Sequence, residues 1–236
     1  MMMELGVPTG PMGAPRSNAL AFVFRSFIDE LAHASQQDPV GFRLMLLGDP
    51  KLLQAGQGRM FDTGRMRDVL RRVAEISDWS SRRSLPARTG KGVAFYFSHL
   101  GYFAEVVQTT VSTAGDIKLD HVWVVGDVGG QIIKPSGAEN QVLGAALDGV
   151  GSALGQAITI DRGRVDQANF DTVKPLRIDQ APPVTVQFLT TAIRRPGSVS
   201  QPCHLSFPRC ATRFSPPPAS ASETCQSALT NSRRRS

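Results

Sequence analysis

The chain has 236 residues and a formal net charge of +6, with 26 Lys and Arg residues against 20 Asp and Glu. This length is enough for one large domain or two small ones. The sequence has no run of about eighteen apolar residues and does not begin with a basic segment followed by an apolar one, so it predicts neither a membrane span nor a secretory signal. Cytoplasmic location is the default expectation.

The positive charge is concentrated in the last fifth of the chain, where seven arginines account for the excess: Arg194, Arg195, Arg209, Arg213, Arg233, Arg234 and Arg235. A second basic group is expected to form a solvated helix face and consists of Arg65, Arg67, Arg71, Arg72, Arg82 and Arg83. This distribution does not favour nucleic-acid binding. Cys203, Cys210 and Cys225 match no common zinc spacing, so no metal site built from protein ligands alone is predicted.

The N-terminal third predicts three helices. A cap at Ser17 or Asn18 begins a helix to about Ala34, with apolar residues at helical spacing: Leu20, Val23, Phe27 and Leu31. Asp38 followed by Pro39 is typical of a second helix start, and Gly48-Asp49-Pro50 ends that helix. A third helix begins near Thr63.

The hydrophobic period then changes from that of helices to two. Strands are predicted over 93–98, 102–112 and 117–125, with Ala114-Gly115-Asp116 as a hairpin turn between the last two. A helix from about Ala138 to Leu154, a second hairpin near Gly163 and a last strand from Val184 to Leu189 follow. The fold class is therefore α+β: N-terminal helices, then an antiparallel or mixed sheet with one inserted helix of small residues.

The segment from Gly126 to Gln156, GDVGGQIIKPSGAENQVLGAALDGVGSALGQ, joins a strand to that small-residue helix through a glycine-rich loop. Glycines let a backbone approach its partner closely. Together with the amide of Gln141, this segment fits either an extended polar cofactor or a helix packed tightly on a sheet. The nearby carboxylates Glu105, Asp120, Asp127 and Glu139 are expected to be turn or surface residues, and His99 either lines a pocket or is a half-buried strand residue.

Seven blocks of sequence, in order, resemble the C-terminal third of the molybdopterin-binding large subunit of the xanthine dehydrogenase and aldehyde oxidase family, in particular the isoquinoline 1-oxidoreductase beta subunit. They are FRSFIDELAH, DPVGFRLMLL, GRMRDVL, GVAFYFSHLGYFAEVV, GDVGGQIIKPSGAENQVLGAALDG, ITIDRGRVDQANF and LRIDQAPPVTVQF. The resemblance covers Val7 to about Thr190. It divides the chain into a partial molybdopterin-binding domain, 1–192, and a tail, 193–236.

The resemblance implies a molybdenum cofactor, carried by molybdopterin cytosine dinucleotide or plain molybdopterin, with 2Fe–2S clusters on a small partner subunit. Gln141 corresponds to the glutamine of the family's pterin-contacting segment, Asn140 stands where that segment has glycine, and Gly144 is kept. Arg16 lies in the loop that often places an arginine near the substrate, and a solvent-facing arginine is its alternative reading. The other implied partner is the missing N-terminal part of the large subunit.

The family's C-terminal signature, whose glutamate serves as general base, is absent after Thr190. The tail has lost periodicity and is dominated by Ser, Pro and Arg, which predicts disorder. Reading the last base of each codon with the first two of the next allows GLGEPALPPV over 196–206. The missing glutamate would be encoded across Val199 and Ser200. We therefore expect a one-base slip near residues 190–193, with apolar side chains of the last strand partly uncovered and the isolated chain poorly soluble or partly molten.

Two classes of function follow. The first is a fragment of a molybdenum-dependent hydroxylase that acts on aldehydes or N-heterocycles and is inactive alone. It lacks the general base and the upstream segments that grip the cofactor, so no catalytic residue is assigned. The second is a non-catalytic binding or interaction module that keeps the same fold.

Overall fold

The computed structural model describes residues 17–55, 60–155, 157–169, 171–173 and 175–191, with side chains from residue 21 onward. The predicted contact Arg16, the three cysteines and the predicted tail 193–236 lie outside these residues. No helix of the described ranges is long and apolar enough to cross a membrane.

The N-terminal helices form where the sequence predicts them. Helix α1 spans Ser17–Ala34 and α2 spans Pro39–Leu47. The carboxylate of Asp38 caps α2 by accepting hydrogen bonds from the backbone N–H groups of Val40 and Gly41. A proline in the first turn suits α2 because that position needs no backbone donor.

A short hairpin not predicted from the sequence follows, formed by β1 (Leu52–Gln54) and β2 (Met60–Asp62). Asp62 at its end caps α3 (Thr63–Ile76) through the N–H groups of the two residues after Thr63. A 3-10 helix, Trp79–Arg83, leads into the main sheet.

The main sheet has four strands in the order β3-β4-β5-β8. Strands β3 (Thr89–Ser98), β4 (Gly101–Val111) and β5 (Ile117–Asp127) are antiparallel neighbours. Helix α4, Pro135–Gly155, follows β5, and a small hairpin, β6 (Ile160–Asp161) with β7 (Arg164–Val165), precedes the 3-10 helix Ile178–Gln180. Strand β8, Val184–Leu189, pairs with β5 in parallel. The sheet is therefore mixed, and the α+β prediction is confirmed.

Helices cover both faces of this sheet. On one face α2 and α3 pack through Val40, Leu47 and a fully buried group on α3: Met66, Val69, Leu70 and Val73. On the other face α4 buries every fourth residue, namely Ala138, Val142, Ala146 and Val150, against valines of β4 and β5. This spacing gives α4 one inner and one outer face.

Three local predictions are wrong. His99 is not a half-buried strand residue: it is exposed in the turn between β3 and β4 with φ of 50°. Asp127 and Glu105 are buried on the sheet rather than lying at the surface, with 0% and 4% exposure. Arg65 is buried as well, so the basic group on α3 is not wholly a solvated face.

Candidate functional site

The glycine-rich loop lies at one edge of the sheet. Because β5 and β8 are parallel, both end at this edge, with Asp127 opposite Leu189. The loop after β5 leads directly into α4, and the turn between β3 and β4 is at the same edge, since Tyr102 of β4 lies opposite Asp127. In open sheets with helical crossovers, ligands bind outside the carboxyl ends of parallel strands.

The side chain of Asp127 connects the segments that meet at this edge of the sheet. Its carboxylate accepts hydrogen bonds from Arg65 at 2.8 Å (Nε) and 2.6 Å (Nη2), from the N–H of Gly129 at 2.9 Å and from the hydroxyl of Thr191 at 3.1 Å. One side chain thus joins the start of α3, the end of β5, the glycine-rich loop and the residues after β8. Because the Asp127 carboxylate accepts all of these hydrogen bonds while paired with Arg65, we expect it to hold the glycine-rich loop in one conformation.

An aromatic ring supports the ion pair. The guanidinium carbon of Arg65 lies 4.2 Å from the ring centre of Tyr102, and the Tyr102 hydroxyl accepts a 2.8 Å hydrogen bond from the N–H of Asp62. Burial lowers the pKa of Arg65, but the hydrogen bond and charge of Asp127 outweigh it and raise that pKa. Burial raises the pKa of Tyr102. Arg65 is therefore a permanent cation and Tyr102 a neutral phenol.

Two glycines at this edge are required by the local structure, one for close packing and one for its backbone conformation. A Cβ on Gly126 would lie 2.5 Å from Cε1 of Phe103 and 3.2 Å from Cε1 of Phe188, so only glycine lets these rings meet over the end of β5. Gly129 has φ of 110°, which side chains rarely adopt. Glycine is therefore needed at position 126 for the packing at the end of β5 and at position 129 for the backbone conformation of the loop.

The three residues expected to contact a cofactor share the outer face of α4. Asn140, Gln141 and Gly144 are exposed, whereas Val142 between them is buried on the sheet. A Cβ on Gly144 would meet nothing within 4 Å. Gln141 is six residues into α4 and so about 9 Å along the helix from its start at the glycine-rich loop. The three residues therefore lie on one exposed face of the helix that follows the loop.

This face can make directional polar contacts. Each side-chain amide both donates and accepts hydrogen bonds. The bare backbone at Gly144 leaves room for a flat ring to approach. Among the described residues, no group of three or more His, Cys, Asp or Glu side chains could hold a metal ion.

A polar cavity of about 510 Å³ lies elsewhere, between α1, the 3-10 helix Trp79–Arg83 and the start of β3. Its lysine, Lys91, already donates to the backbone oxygens of Ser77 and Asp78 and to the hydroxyl of Ser81. Arg82 forms an ion pair with Asp38. Of the predicted site residues, the three that the structure describes, Asn140, Gln141 and Gly144, do not line this cavity.

Comparison with known proteins decides the family. The model of the molybdopterin cofactor-binding domain matches residues 49–182, which is more than half of the chain and includes β5, the loop and α4. The chain belongs to the molybdopterin cofactor-binding domain family. The family to which the seven sequence blocks pointed is thereby confirmed.

Curated relatives of this family member are much longer than the chain. The membrane-bound aldehyde dehydrogenase (pyrroloquinoline-quinone) of Gluconacetobacter polyoxogenes is 30% identical over 191 residues, covering 75% of this chain and 23% of that protein. Isoquinoline 1-oxidoreductase subunit beta of Brevundimonas diminuta is 27% identical over 175 residues, covering 72% of the chain and 20% of that protein. The chain thus spans about a fifth of the length of the relatives it matches.

A solved structure shows the same fold. The aldehyde oxidoreductase of Desulfovibrio desulfuricans ATCC 27774 superposes with a TM-score of 0.63 at 11% identity, covering 82% of this chain and 38% of that chain. The fold assignment is thereby confirmed.

The buried network around Asp127 is the part of the site that sequence reasoning missed. Asp127 and Arg65 are 62 positions apart in sequence, and no local pattern pairs them. One signal was available: Asp127 ends a strand directly before a glycine-rich loop, and at that place a carboxylate can accept hydrogen bonds from loop N–H groups.

Proposed function

We propose that the chain is the cofactor-facing part of a molybdenum-dependent hydroxylase large subunit, with Asn140, Gln141 and Gly144 forming the contact with molybdopterin. The observation that carries this proposal is the exposed amide face of α4 beside the loop held by Asp127, within the residues that the family model matches. The substrate class is aldehydes or N-heterocycles, in line with the names of two relatives.

Each part of this chain has a physical role in the proposal. The side-chain amides of Asn140 and Gln141 bind and orient the pterin, and the outer surface of Gly144 lets it approach. Asp127 and Arg65 position the loop without touching the cofactor. When bound, the molybdenum centre supplies the oxygen-transfer chemistry, while electrons leave through 2Fe–2S clusters of a small partner subunit.

The free chain is expected to be inactive. The family signature whose glutamate serves as general base is absent from the sequence after Thr190, and loss of such a group typically costs about 10²–10⁴ in rate. The rest of the large subunit is the partner that would complete the pocket. Arg16 remains proposed as a substrate contact only, on the strength of the resemblance.

The test is cofactor loading. The chain is co-expressed with the rest of a large subunit and its iron–sulfur subunit, and the purified assembly is assayed for molybdenum, pterin and pyrroloquinoline quinone. We expect molybdenum and pterin close to one per assembly. An assembly that contains pyrroloquinoline quinone but neither molybdenum nor pterin would contradict the proposal. That quinone is the cofactor in the name of one relative.

A matched pair of variants locates the contact. Gln141→Leu removes an amide from the outer face of α4 and should reduce pterin content several-fold without loss of folded protein. Gln37→Leu changes an exposed glutamine in the connection between α1 and α2 and should leave the content unchanged. Equal pterin content in the two variants would exclude Gln141 as a contact.

A further inference from the structure

Helix α1 turns a row of large apolar side chains toward solvent, whereas an ordinary amphipathic surface helix turns its apolar side toward the core. Four large apolar side chains form an outer face, with exposures of 58% (Val23), 57% (Phe24), 55% (Phe27) and 39% (Leu31). These residues share one side of the helix: Val23, Phe27 and Leu31 follow one another at intervals of four, and Phe24 lies three positions before Phe27. An exposed apolar patch of this kind on a folded domain marks an interaction surface.

The side of α1 that faces the domain carries mainly small or charged residues, with Ile28 half-buried among them. Ala21 and Ala32 are buried there, and Arg25 places its guanidinium carbon 4.3 Å from the ring centre of Phe95. Two buried polar atoms of α1 have no hydrogen-bond partner among the described residues: Arg25 Nε and Ser26 Oγ. Burying such groups while exposing phenylalanines is unfavourable for an isolated helix. The orientation of α1 makes physical sense once its outer face is covered.

The relatives indicate what covers it. The matched part is 23% of one relative and 20% of another, so the remainder of each polypeptide is more than three times as long as that part. In a single large subunit, an apolar helix face of one part is buried against another part of the same polypeptide. From this combination we infer that the outer face of α1 is the docking surface for an apolar patch on the rest of the large subunit.

This inference rests on the proposed function and deepens it by naming the surface that the partner contacts. The outer face of α1 is distinct from the outer face of α4: one binds protein and the other is proposed to bind the cofactor. The two surfaces can therefore be tested separately.

The test is co-purification. The 236-residue chain is co-expressed with a tagged Brevundimonas diminuta isoquinoline 1-oxidoreductase beta subunit from which the matched segment has been deleted. We expect the chain to co-purify in near-equal amount, and Phe27→Glu to reduce its recovery at least tenfold. The control is Ile178→Glu, which adds the same charge at another exposed apolar residue and should co-purify like the unaltered chain.

Two further measurements keep the result interpretable. Circular dichroism checks that Phe27→Glu is folded, and Phe27→Leu should restore co-purification if the contact is apolar. In the absence of the tagged subunit, the chain should bind the hydrophobic dye ANS through the outer face of α1. Phe27→Glu should therefore reduce dye binding more than Ile178→Glu does.

Several results would overturn the inference. These are failure of the unaltered chain to co-purify, equal recovery of Phe27→Glu, and a dimer of the free chain that Phe27→Glu dissociates, which would make a second copy the occupant. Unchanged dye binding by Phe27→Glu would mean that another segment of this chain covers the face. A stable complex without molybdenum would instead contradict the proposed function and leave the docking surface standing.

Discussion

Glu105 is a carboxyl group enclosed by apolar side chains in the middle of the sheet. It lies between Ala94 of β3 and Val124 of β5, and its Oε2 has no hydrogen-bond partner among the described residues. Burial raises the pKa of Glu105 to about 8. The side chain is therefore mostly protonated at neutral pH, and ionising it inside the sheet is unfavourable.

This environment makes stability depend on pH. The folded-state pKa lies above the ordinary value of 4.5, so the folded chain holds a proton that the unfolded chain releases between pH 4.5 and about 8. Stability should fall as pH rises through that window, by up to about 1.4 kcal/mol per pH unit. Glu105→Gln should remove this slope, as measured by urea unfolding followed through tryptophan fluorescence at pH 6 and pH 9. The same slope in Glu105→Gln would contradict the account.

Removing the charge of only one partner of the Arg65–Asp127 ion pair should strongly lower the stability of the fold. Asp127→Asn leaves the charge of Arg65 buried without its partner, and such changes typically destabilise by about 3–5 kcal/mol. The double variant Arg65→Met with Asp127→Leu removes both charges and should lose less stability than Asp127→Asn alone. Urea unfolding of the three proteins measures this. A double variant at least as unstable as the single one would show that the pair itself stabilises the fold.

At the scale of elements, two glycines with opposite surroundings give a controlled comparison. Gly126→Ala places a methyl group against Phe103 and Phe188, and overpacking of this kind costs about 1–3 kcal/mol. Gly144→Ala meets no atom within 4 Å and should stabilise α4 by about 1 kcal/mol, because alanine is the better helix former. Thermal unfolding of both variants checks the difference in sign. Similar shifts in the two melting temperatures would contradict the packing at the end of β5.

Most elements follow from local sequence signals. The cap at Asp38, the start of α3 at Thr63, the turn at Gly115 and the last strand from Val184 to Leu189 form where the patterns predict them. These features depend on residues that are neighbours in the chain, so hydrophobic period and turn chemistry are enough to locate them.

The rest depends on contacts between distant parts of the chain. The burial of Glu105 and Asp127 is set by how β4 and β5 pair and by which helix covers each face. The outward orientation of α1 is equally invisible in its sequence, because a helical apolar stripe at Val23, Phe27 and Leu31 predicts a helix but not what the stripe contacts. The candidate cofactor residues were located through family resemblance rather than by pattern.

At the scale of the whole molecule, the chain spans about a fifth of the length of the relatives it matches. Strand β8 is an edge of the main sheet, and its apolar side chains Val184, Val186 and Phe188 are half-buried. An edge of this kind is normally covered or paired.

We propose, from the codon argument, that the residues after about 193 are read in a shifted frame. The codons of Ser198, Val199 and Ser200 should then contain the run GGTGAGC, which encodes the missing glutamate in the neighbouring frame. Sequencing of the gene checks this directly. Any other bases at the junction of Val199 and Ser200 that exclude a glutamate codon would remove the frame-slip explanation.

The most direct test of the cofactor assignment is a cryo-electron microscopy map of the chain assembled with the rest of a large subunit and loaded with cofactor. The account predicts pterin density on the outer face of α4, with the side-chain amide of Gln141 within hydrogen-bonding distance of the ring. Cofactor density elsewhere, with Gln141 facing solvent or covered by protein, would contradict it.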